Sequence, residues 1–367
     1  MSVPRSRRWF VVAGLTAAAA AVPVVSSVWP ARDTRTDAAK LRERMLRSAD
    51  VAHQGYAESV GRLAVPELPK LASVTALLSG TTQMRTWYAA RDRYRFAVLN
   101  TAGERDVFHE VDAEYLWDSG QNTFTEAADL MVRLPRAGDL LPPDLARRIL
   151  AGAPGDAVSA IASKRVAGVS AAGLRLAPAD PDTTVGYVDM WADPDSGLPL
   201  QVELTAKGAS SPVIMGRFLE IDLGPPPESA LSYEVGPDVG FNTAELPDVT
   251  SVLASGGLVR PPGRLAGRAR RSDALAGLPG VGLYGAGLSS FVMLQLPRDL
   301  ANSAVDAAVK AGAQQTEDFV RLEIPPLSLA VQRVPRNRRT YLLAGLVSAT
   351  VLQQAGTELA ALPRGNR

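Results

Sequence analysis

Two histidines, His53 and His109, are the side chains of this sequence best suited to metal binding or proton transfer near neutral pH. A histidine metal site needs a third ligand, and the two histidines do not lie at metal-binding spacing. The absence of cysteine excludes disulfides, thiolate metal sites and cysteine nucleophiles. We therefore predict structural roles for both histidines, and neither a metal site nor a cofactor.

Three other patterns could suggest chemistry, and each has a simpler interpretation. The run Gly280–Gly285 matches G-x-G-x-x-G, but a loop with Pro279 precedes it and a strand-like run follows, whereas a dinucleotide site needs a strand and then a helix. The run Gly168–Gly173 has the wrong spacing for a nucleophile elbow. Asp193–Gly197 lacks the further oxygen ligands of a calcium loop and predicts a hairpin turn. No pair of carboxylates stands out, so we predict a protein that is not an enzyme.

Aromatic side chains are the candidate ligand-binding residues. Trp87, Tyr94, Phe96, Trp117 and Trp191 all lie on predicted strands in the first half of the chain. A small barrel or half-barrel that these residues line could hold an acyl chain. The alternative is that they fill an ordinary hydrophobic core.

The first 31 residues have the pattern of a membrane segment. Arg5, Arg7 and Arg8 precede an uncharged stretch from Trp9 to Trp29, which is long enough to cross a bilayer as a helix. The positive charges predict a cytoplasmic N-terminus and an extracytoplasmic body. The small residues Ala17–Ala21 leave a cleaved signal peptide open as the alternative, and both interpretations predict export.

Composition indicates a globular chain without an affinity for nucleic acid. The 367 residues are 46% hydrophobic and 21% charged, so a sizeable core can form. The 39 Lys and Arg residues nearly balance 38 Asp and Glu residues, and the net charge of +1 gives no reason to expect a polyanionic partner. This length predicts two folded units after the N-terminal segment.

The rest of the chain is predicted to form short antiparallel strands with a few helices. Apolar residues at helical spacing predict a helix over Thr36–Gln54. Alternation of Tyr94, Phe96 and Val98 with polar neighbours, together with short turns, predicts an antiparallel meander that follows. Residues Leu134–Ala179 contain a short helix that begins at Pro142, and their Ala, Gly and Ser content predicts helices or loops.

Strands resume after that stretch and end in a linker. Thr184–Ala192, Leu198–Thr205 and Val213–Leu223 are predicted strands with one apolar face each. Glu245–Gly280 is rich in Pro, Gly and Arg and predicts a linker whose arginines either are solvated or touch anionic headgroups. The predicted organisation is an anchor or signal peptide at 1–31, a first domain at 32–244, the linker at 245–280 and a small α+β domain at 281–367.

Several of these stretches resemble the LolA/LppX/RseB group of periplasmic lipoprotein carriers and lipid-sensing proteins, which includes MucB-type regulators. The likeness is carried by a helix at Met45 that runs into a strand at His53–Tyr56, by Met84–Trp87 with Tyr94–Phe96, by Tyr115–Asp118, and by Val188–Asp193 with Gly197–Leu200. The C-terminal part is similar to the smaller domain of RseB, on Tyr284–Phe291 and Tyr341–Leu346.

The resemblance implies an α+β fold, predominantly antiparallel β, in which helices cover a half-open LolA-like β-barrel and a smaller α+β domain follows. It also implies that the concave face binds an acyl chain, a lipid or a lipoprotein. RseB-like proteins in addition hold an anti-sigma factor and release it in response to envelope lipids. The expected function is therefore lipid or lipoprotein binding by a membrane-anchored protein, with regulation of a membrane signalling protein as the alternative.

Overall fold

A computed structural model describes residues 31–32, 34, 36–66, 72–101, 103–111, 113–127, 135–233, 239–244, 260–271 and 280–362. The predicted anchor therefore lies almost wholly outside the described residues. No helix in these ranges is long and apolar enough to cross a membrane.

Twelve strands form one large, open sheet, in the order β12-β6-β5-β4-β3-β2-β1-β11-β10-β9-β8-β7. Neighbours are antiparallel except β12 and β6, which run parallel. The strands are β1 (His53–Gly61), β2 (Thr81–Ala90), β3 (Arg93–Asn100), β4 (Gly103–Glu110), β5 (Ala113–Asp118), β6 (Thr123–Ala127), β7 (Ala157–Val166), β8 (Val169–Ala177), β9 (Val185–Ala192), β10 (Pro199–Ala206), β11 (Ile214–Asp222) and β12 (Gly240–Ala244).

Four helices accompany this sheet: α1 (Ala38–Arg47), α2 (Ala72–Ser79), α3 (Pro142–Gly152) and α4 (Glu228–Leu231). The side chain of Asp37 accepts a hydrogen bond from the Lys40 amide and so caps the first turn of α1. Leu41 of α1 and Leu150 of α3 are buried in one hydrophobic cluster with Met190 and Val202 of the sheet. We call the sheet face that bears Met190 and Val202 the inner face, and the opposite face the outer face.

A hairpin replaces the helices or loops that we expected in the Ala-rich part of Leu134–Ala179. The helix after Leu141 is present, but β7 and β8 form an antiparallel pair next to β9. Gly173 fits here because a Cβ at that position would lie 2.7 Å from the Ala162 carbonyl oxygen of the paired strand. The prediction failed because a place at a sheet edge outweighs the helix propensity of alanine.

The first helix is also shorter than the predicted Thr36–Gln54. It ends at Arg47 and a single 3₁₀ turn follows at Ser48–Asp50. His53 therefore belongs to strand β1 rather than to a helix end. The predicted hairpin turn at Asp193–Gly197 is confirmed, since the Asp193 carboxylate accepts hydrogen bonds from the Ser196 amide at 2.8 Å and from its hydroxyl at 2.6 Å.

A second sheet of six strands has the order β15-β16-β20-β19-β18-β17. Two helices, α5 and α6, pack on it, and a small separate hairpin, β13-β14, precedes it within the predicted linker. The elements are β13 (Arg264–Leu265), β14 (Arg268–Ala269), β15 (Val281–Tyr284), β16 (Phe291–Leu296), α5 (Arg298–Lys310), β17 (Gln314–Gln315), β18 (Phe319–Ile324), β19 (Leu327–Val334), β20 (Arg339–Gly345) and α6 (Ala349–Ala361).

The loop between β8 and β9 joins the two sheets. Thr183 is 3% exposed, and the carbonyl oxygens of Leu288 and Leu346 both lie within hydrogen-bonding distance of its hydroxyl, the latter at 3.1 Å. Arg268 of β14 lies 2.9 Å from the Asp180 carboxylate and 3.2 Å from the Asp182 carboxylate. Polar groups thus fix the second sheet to this loop.

The end of helix α3 also touches the second part of the chain. Leu288 is buried in the same cluster as Leu150 of α3. Gly287 lies so close that a Cβ there would be 3.3 Å from the Gly152 carbonyl oxygen. The helix that covers the inner face is therefore in contact with the large sheet and with the turn between β15 and β16.

These features confirm the predicted fold class, an α+β fold that is mostly antiparallel, with a large sheet that is not closed into a barrel. The domain boundaries stay predictions. Part of the predicted linker is ordered, since Leu265 and Ala266 are buried in the hydrophobic core of the second sheet.

Candidate functional site

The five predicted ligand-binding aromatics do not share one face of the sheet. Residues directly opposite each other on paired strands point to the same side, and successive residues alternate. Through the registers of β1 to β4 and β9 to β11, Tyr94 and Phe96 fall on the inner face. Trp87, Trp117 and Trp191 fall on the outer face by the same reasoning.

Among the described residues, one cavity on the inner face is lined by charged and aromatic groups. It has a volume of about 270 Å³ and lies between strands β1 to β3 and the segment Arg136–Arg148. We call it the arginine cavity, after four of the residues that line it. The residues that line it are Ala49, His53, Thr86, Tyr88, Arg91, Tyr94, Phe96, Arg136, Gly138, Asp139, Leu141, Asp144, Arg147 and Arg148.

Each of these arginines has a carboxylate partner. Arg148 donates to Asp139 at 2.9 Å, and Arg147 donates to Asp144 at 2.6 Å. Arg91 donates to Asp50 at 3.0 Å outside the cavity wall. Pairing keeps the charges in the arginine cavity balanced, so an uncharged or zwitterionic group could enter it as readily as an anion.

The second cavity lies beside the first and is mostly apolar. It has a volume of about 330 Å³. We call it the apolar cavity, because Phe96, Val98, Val107 and Leu116 form its floor. The residues that line it are Phe96, Val98, Arg105, Asp106, Val107, Leu116, Trp117, Asp118, Gln121, Thr123, Thr125, Arg136 and Ala137. The volume of the apolar cavity is near the lower end of the range for small-molecule sites, about 300–1,000 Å³, and that of the arginine cavity is slightly below it.

Phe96 and Arg136 belong to both cavities and stand between them. The Arg136 guanidinium carbon lies 5.2 Å from the centre of the Phe96 ring. Gly138 presses on the same ring, because a Cβ at Gly138 would lie 2.7 Å from its nearest ring carbon. We call this ring and guanidinium the partition.

The partition is held by polar groups of the inner face. Arg136 forms an ion pair with Glu114 and donates to the Tyr94 hydroxyl at 3.2 Å. The ring of His109 stacks on Tyr94 with 4.7 Å between centroids, and its Nδ1 lies 3.6 Å from Glu114. Side chains from three neighbouring strands and from the segment before α3 are therefore in contact here. They are Tyr94 of β3, His109 of β4, Glu114 of β5 and Arg136.

His53 is a buried, uncharged member of the arginine cavity. It is 2% exposed, stacks on Tyr88 at 5.0 Å, and its Nδ1 lies 2.9 Å from the Val51 carbonyl oxygen. Burial, opposed by the hydrogen bond to the Val51 carbonyl and helped by the positive charge of nearby Arg147, lowers the pKa of His53 to about 4. The structural role of His53 stays a prediction.

The outer-face tryptophans have partners of their own. The Arg95 guanidinium lies 4.5 Å from the Trp87 ring and bonds to Asp106 at 2.6 Å. Trp191 donates to the Ala162 carbonyl at 3.0 Å, and the Lys164 ammonium lies 4.4 Å from its ring. Trp117 borders the apolar cavity at its strand position, while its ring centre is 6.4 Å from that of Phe124 on the outer face. Ligand binding by these three tryptophans stays a prediction.

Sequence reasoning missed Glu114 and Arg136. A detectable signal existed for Glu114, because it pairs with His109, and both have the inward parity of Tyr94 on neighbouring strands. Polar residues at inward positions of an otherwise apolar face indicate a polar site. Arg136 had no such signal, because it lies outside any strand. In the ranges that the structure describes, no group of His, Asp or Glu is arranged to hold a metal ion.

Comparison with known proteins identifies similar folds but no similar sequences. No family model and no curated protein matches the chain. A chain in the complex of Pseudomonas aeruginosa MucA and MucB is 17% identical with a TM-score of 0.50, and the match covers 88% of this chain and 97% of that chain. A structure of MucB in complex with MucA(peri) matches at 17% identity and a TM-score of 0.49, covering 87% and 97%.

A LolA superfamily protein from Nitrosomonas europaea matches at 10% identity and a TM-score of 0.25, covering 54% of this chain and 99% of that one. The first of the three matches extends over both sheets. At this identity it concerns the fold alone, and it confirms the RseB-like fold that the sequence resemblance predicts.

Proposed function

We propose that this chain is an extracytoplasmic, non-enzymatic protein that binds the acyl chain of a lipid or lipoprotein on the inner face of its large sheet. The observation that carries the proposal is the apolar cavity, which lies beside the arginine cavity under the covering segment. Val98 and Leu116 present apolar surface there, and burying a methylene group on such surface contributes roughly 0.8 kcal/mol.

We also propose that the body of the protein lies outside the cytoplasm and is tethered to the membrane. The basic residues before the uncharged stretch Trp9–Trp29 support an anchor with the body outside the cytoplasm, or export if that segment is cleaved. A tethered protein would bind lipid locally and would not carry it across a compartment.

A cavity-filling substitution tests the acyl site. We expect Val98→Trp to fill part of the apolar cavity and to reduce binding of a dansyl-labelled fatty acid to the full chain by at least about tenfold, which is the loss of roughly two buried methylenes. Titration of dansyl fluorescence measures the dissociation constant, and lipid extraction with mass spectrometry measures the acyl chains that copurify.

Leu99→Trp is the matched control, because Leu99 is the next residue of β3 and faces the other side of the sheet. It introduces the same ring outside the cavity and should leave binding unchanged. Equal binding by wild type and both variants, or no binding by wild type, would contradict an acyl site in this cavity.

A second candidate function is the binding of a membrane signalling protein, such as an anti-sigma factor, under the control of envelope lipids. It is supported by the likeness to the fold of MucB, which is solved in complex with MucA. That likeness covers 88% of this chain, so it includes the second sheet as well as the first. Both functions are compatible, since a lipid and a protein could occupy different surfaces.

Crosslinking in native membranes tests this second candidate. We expect one membrane protein with an extracytoplasmic segment to be crosslinked, and the yield to fall when acyl lipid is added. Crosslinking that is absent, or the same with Val98→Trp and with wild type at every lipid concentration, would count against lipid-controlled regulation.

A further inference from the structure

We propose that the partition of Phe96 and Arg136 limits the length of the acyl chain that the inner face can hold. This inference rests on the proposed function and names a residue, Arg136, that determines its specificity. The two cavities adjoin, and these two residues are the ones that line both. A chain that fills the apolar cavity therefore meets the Arg136 guanidinium and not open space.

The charge on Arg136 makes it unfavourable for an acyl chain to pass the partition. An acyl chain that passed Arg136 would have to displace a guanidinium that is paired with Glu114, and the exposed fractions of the two side chains are only 19% and 16%. Separating a half-buried ion pair without replacing its hydrogen bonds is strongly unfavourable. Apolar methylenes offer no such replacement.

Hydrogen bonds and close packing also fix the position of the partition. The Tyr94 hydroxyl accepts from Arg136 at 3.2 Å, and the Arg136 amide donates to the Asp139 carboxylate at 2.9 Å. Gly138 rests on the Phe96 ring, so the ring cannot swing toward the covering segment. The partition is thus fixed both by residues of the sheet and by residues of the covering segment.

Beyond the partition there is room for more chain. The arginine cavity has about 270 Å³, and Thr86, Tyr88 and Leu141 give it partly apolar walls. Removing the partition would join this space to the apolar cavity. A longer chain could then continue along the inner face from Val98 toward Tyr88.

The experiment measures how affinity depends on chain length in the full-length protein. Saturated fatty acids from octanoate to stearate compete with a dansyl-labelled fatty acid, and each dissociation constant is obtained. In wild type we expect affinity to rise about fourfold for each added methylene and then to stop rising at an intermediate length. The length at which it stops is the capacity of the apolar cavity.

The test variant carries Glu114→Ala and Arg136→Ala together, so that no unpaired charge remains on the inner face. We expect its affinity to keep rising by about fourfold per methylene over lengths at which wild type is already constant. The control is Glu58→Ala with Arg217→Ala, which removes an ion pair of 3.0 Å on the outer face and should keep the wild-type profile.

Arg136→Lys provides a milder variant if the double variant does not fold. Lysine keeps the charge opposite Glu114 but lacks the planar group that covers Phe96, so its limiting length should lie between those of wild type and the double variant. A profile identical to wild type in every folded Arg136 variant would overturn the partition and leave the acyl site standing. A wild type that binds none of the fatty acids would overturn the proposed function itself.

Discussion

A single buried imidazole makes the folded protein sensitive to acid. His53 has a pKa near 4 in the folded chain because burial disfavours its charged form, whereas the ordinary value is 6.5. Below about pH 6.5 the unfolded chain takes up a proton that the folded chain does not accept until about pH 4. Stability contributed by neutral His53 is therefore complete above pH 6.5 and is lost as the pH falls toward 4.

We expect this residue to lower the unfolding free energy of wild type by about 2 kcal/mol between pH 7 and pH 5. His53→Phe retains a ring beside Tyr88 and should lose that part of the pH dependence, whatever its absolute stability. Urea unfolding at both pH values measures the difference. His109→Phe, which leaves His53 in place, should keep the wild-type drop, and a drop of equal size in His53→Phe would refute the assignment.

Helices α1 and α3 depend on each other through one arginine. Arg42 of α1 donates to the Leu150 carbonyl oxygen at 3.2 Å and to the Asp156 carbonyl oxygen at 3.1 Å, and it also bonds to the Ala153 carbonyl. These carbonyls lie at or just after the end of α3, where the regular helical hydrogen bonds end, and those of Leu150 and Ala153 also accept from backbone amides at 3.4 and 3.3 Å. Arg42 of α1 thus caps the C-terminal end of α3.

We expect Arg42→Met, which keeps an apolar stem, to lower the unfolding free energy by about 1.5–3 kcal/mol, because hydrogen bonds to a charged donor are lost. Chemical denaturation provides the measurement. Arg47→Met is the control on the same helix, since Arg47 is exposed, and it should change stability by less than about 0.5 kcal/mol. Equal effects of the two substitutions would show that the cap contributes nothing.

Alternation of apolar and polar residues predicted strands correctly. Amino-acid composition alone did not predict secondary structure correctly. Alternation around Tyr94, Phe96 and Val98 predicted β3 and the meander, because one face of that strand packs into a core. The Ala-rich strands β7 and β8 have no such contrast, so their sequence could not distinguish a hairpin from a helix. Trp87 and Phe96 lie on different strands, so the period within each strand cannot compare them, and only the register between β2 and β3 shows that they face opposite sides.

Whole-molecule stability depends on the contact between the two sheets. Arg268 is the centre of its polar part, with a side chain that is 13% exposed and carboxylates of Asp180 and Asp182 within 3.2 Å. Buried apolar residues of the second sheet also pack with Leu63, next to β1. Because the contact combines both kinds of interaction, the sheets should unfold together.

We expect calorimetry of wild type to show one unfolding transition. Arg268→Ala should lower the stability of the second sheet and separate a transition of its own, with a midpoint roughly 4–8 °C lower for each kcal/mol lost. Arg264→Ala in the same hairpin is the control, because Arg264 is exposed and bonds within the hairpin. A single transition with an unchanged midpoint in Arg268→Ala would show that the polar contact does not couple the sheets.

The contact of α3 with Gly287 and Leu288 would couple the two sheets if the proposed ligand moved α3. A lipid that lifts α3 from the inner face would change the free energy of the contact with Leu288. By reciprocity, any molecule that favours one position of the second sheet must alter the affinity for that lipid by the same factor. Under the proposed function, the end of one helix would thus give the lipid-binding face and the second sheet a common equilibrium, and each would respond to occupancy of the other.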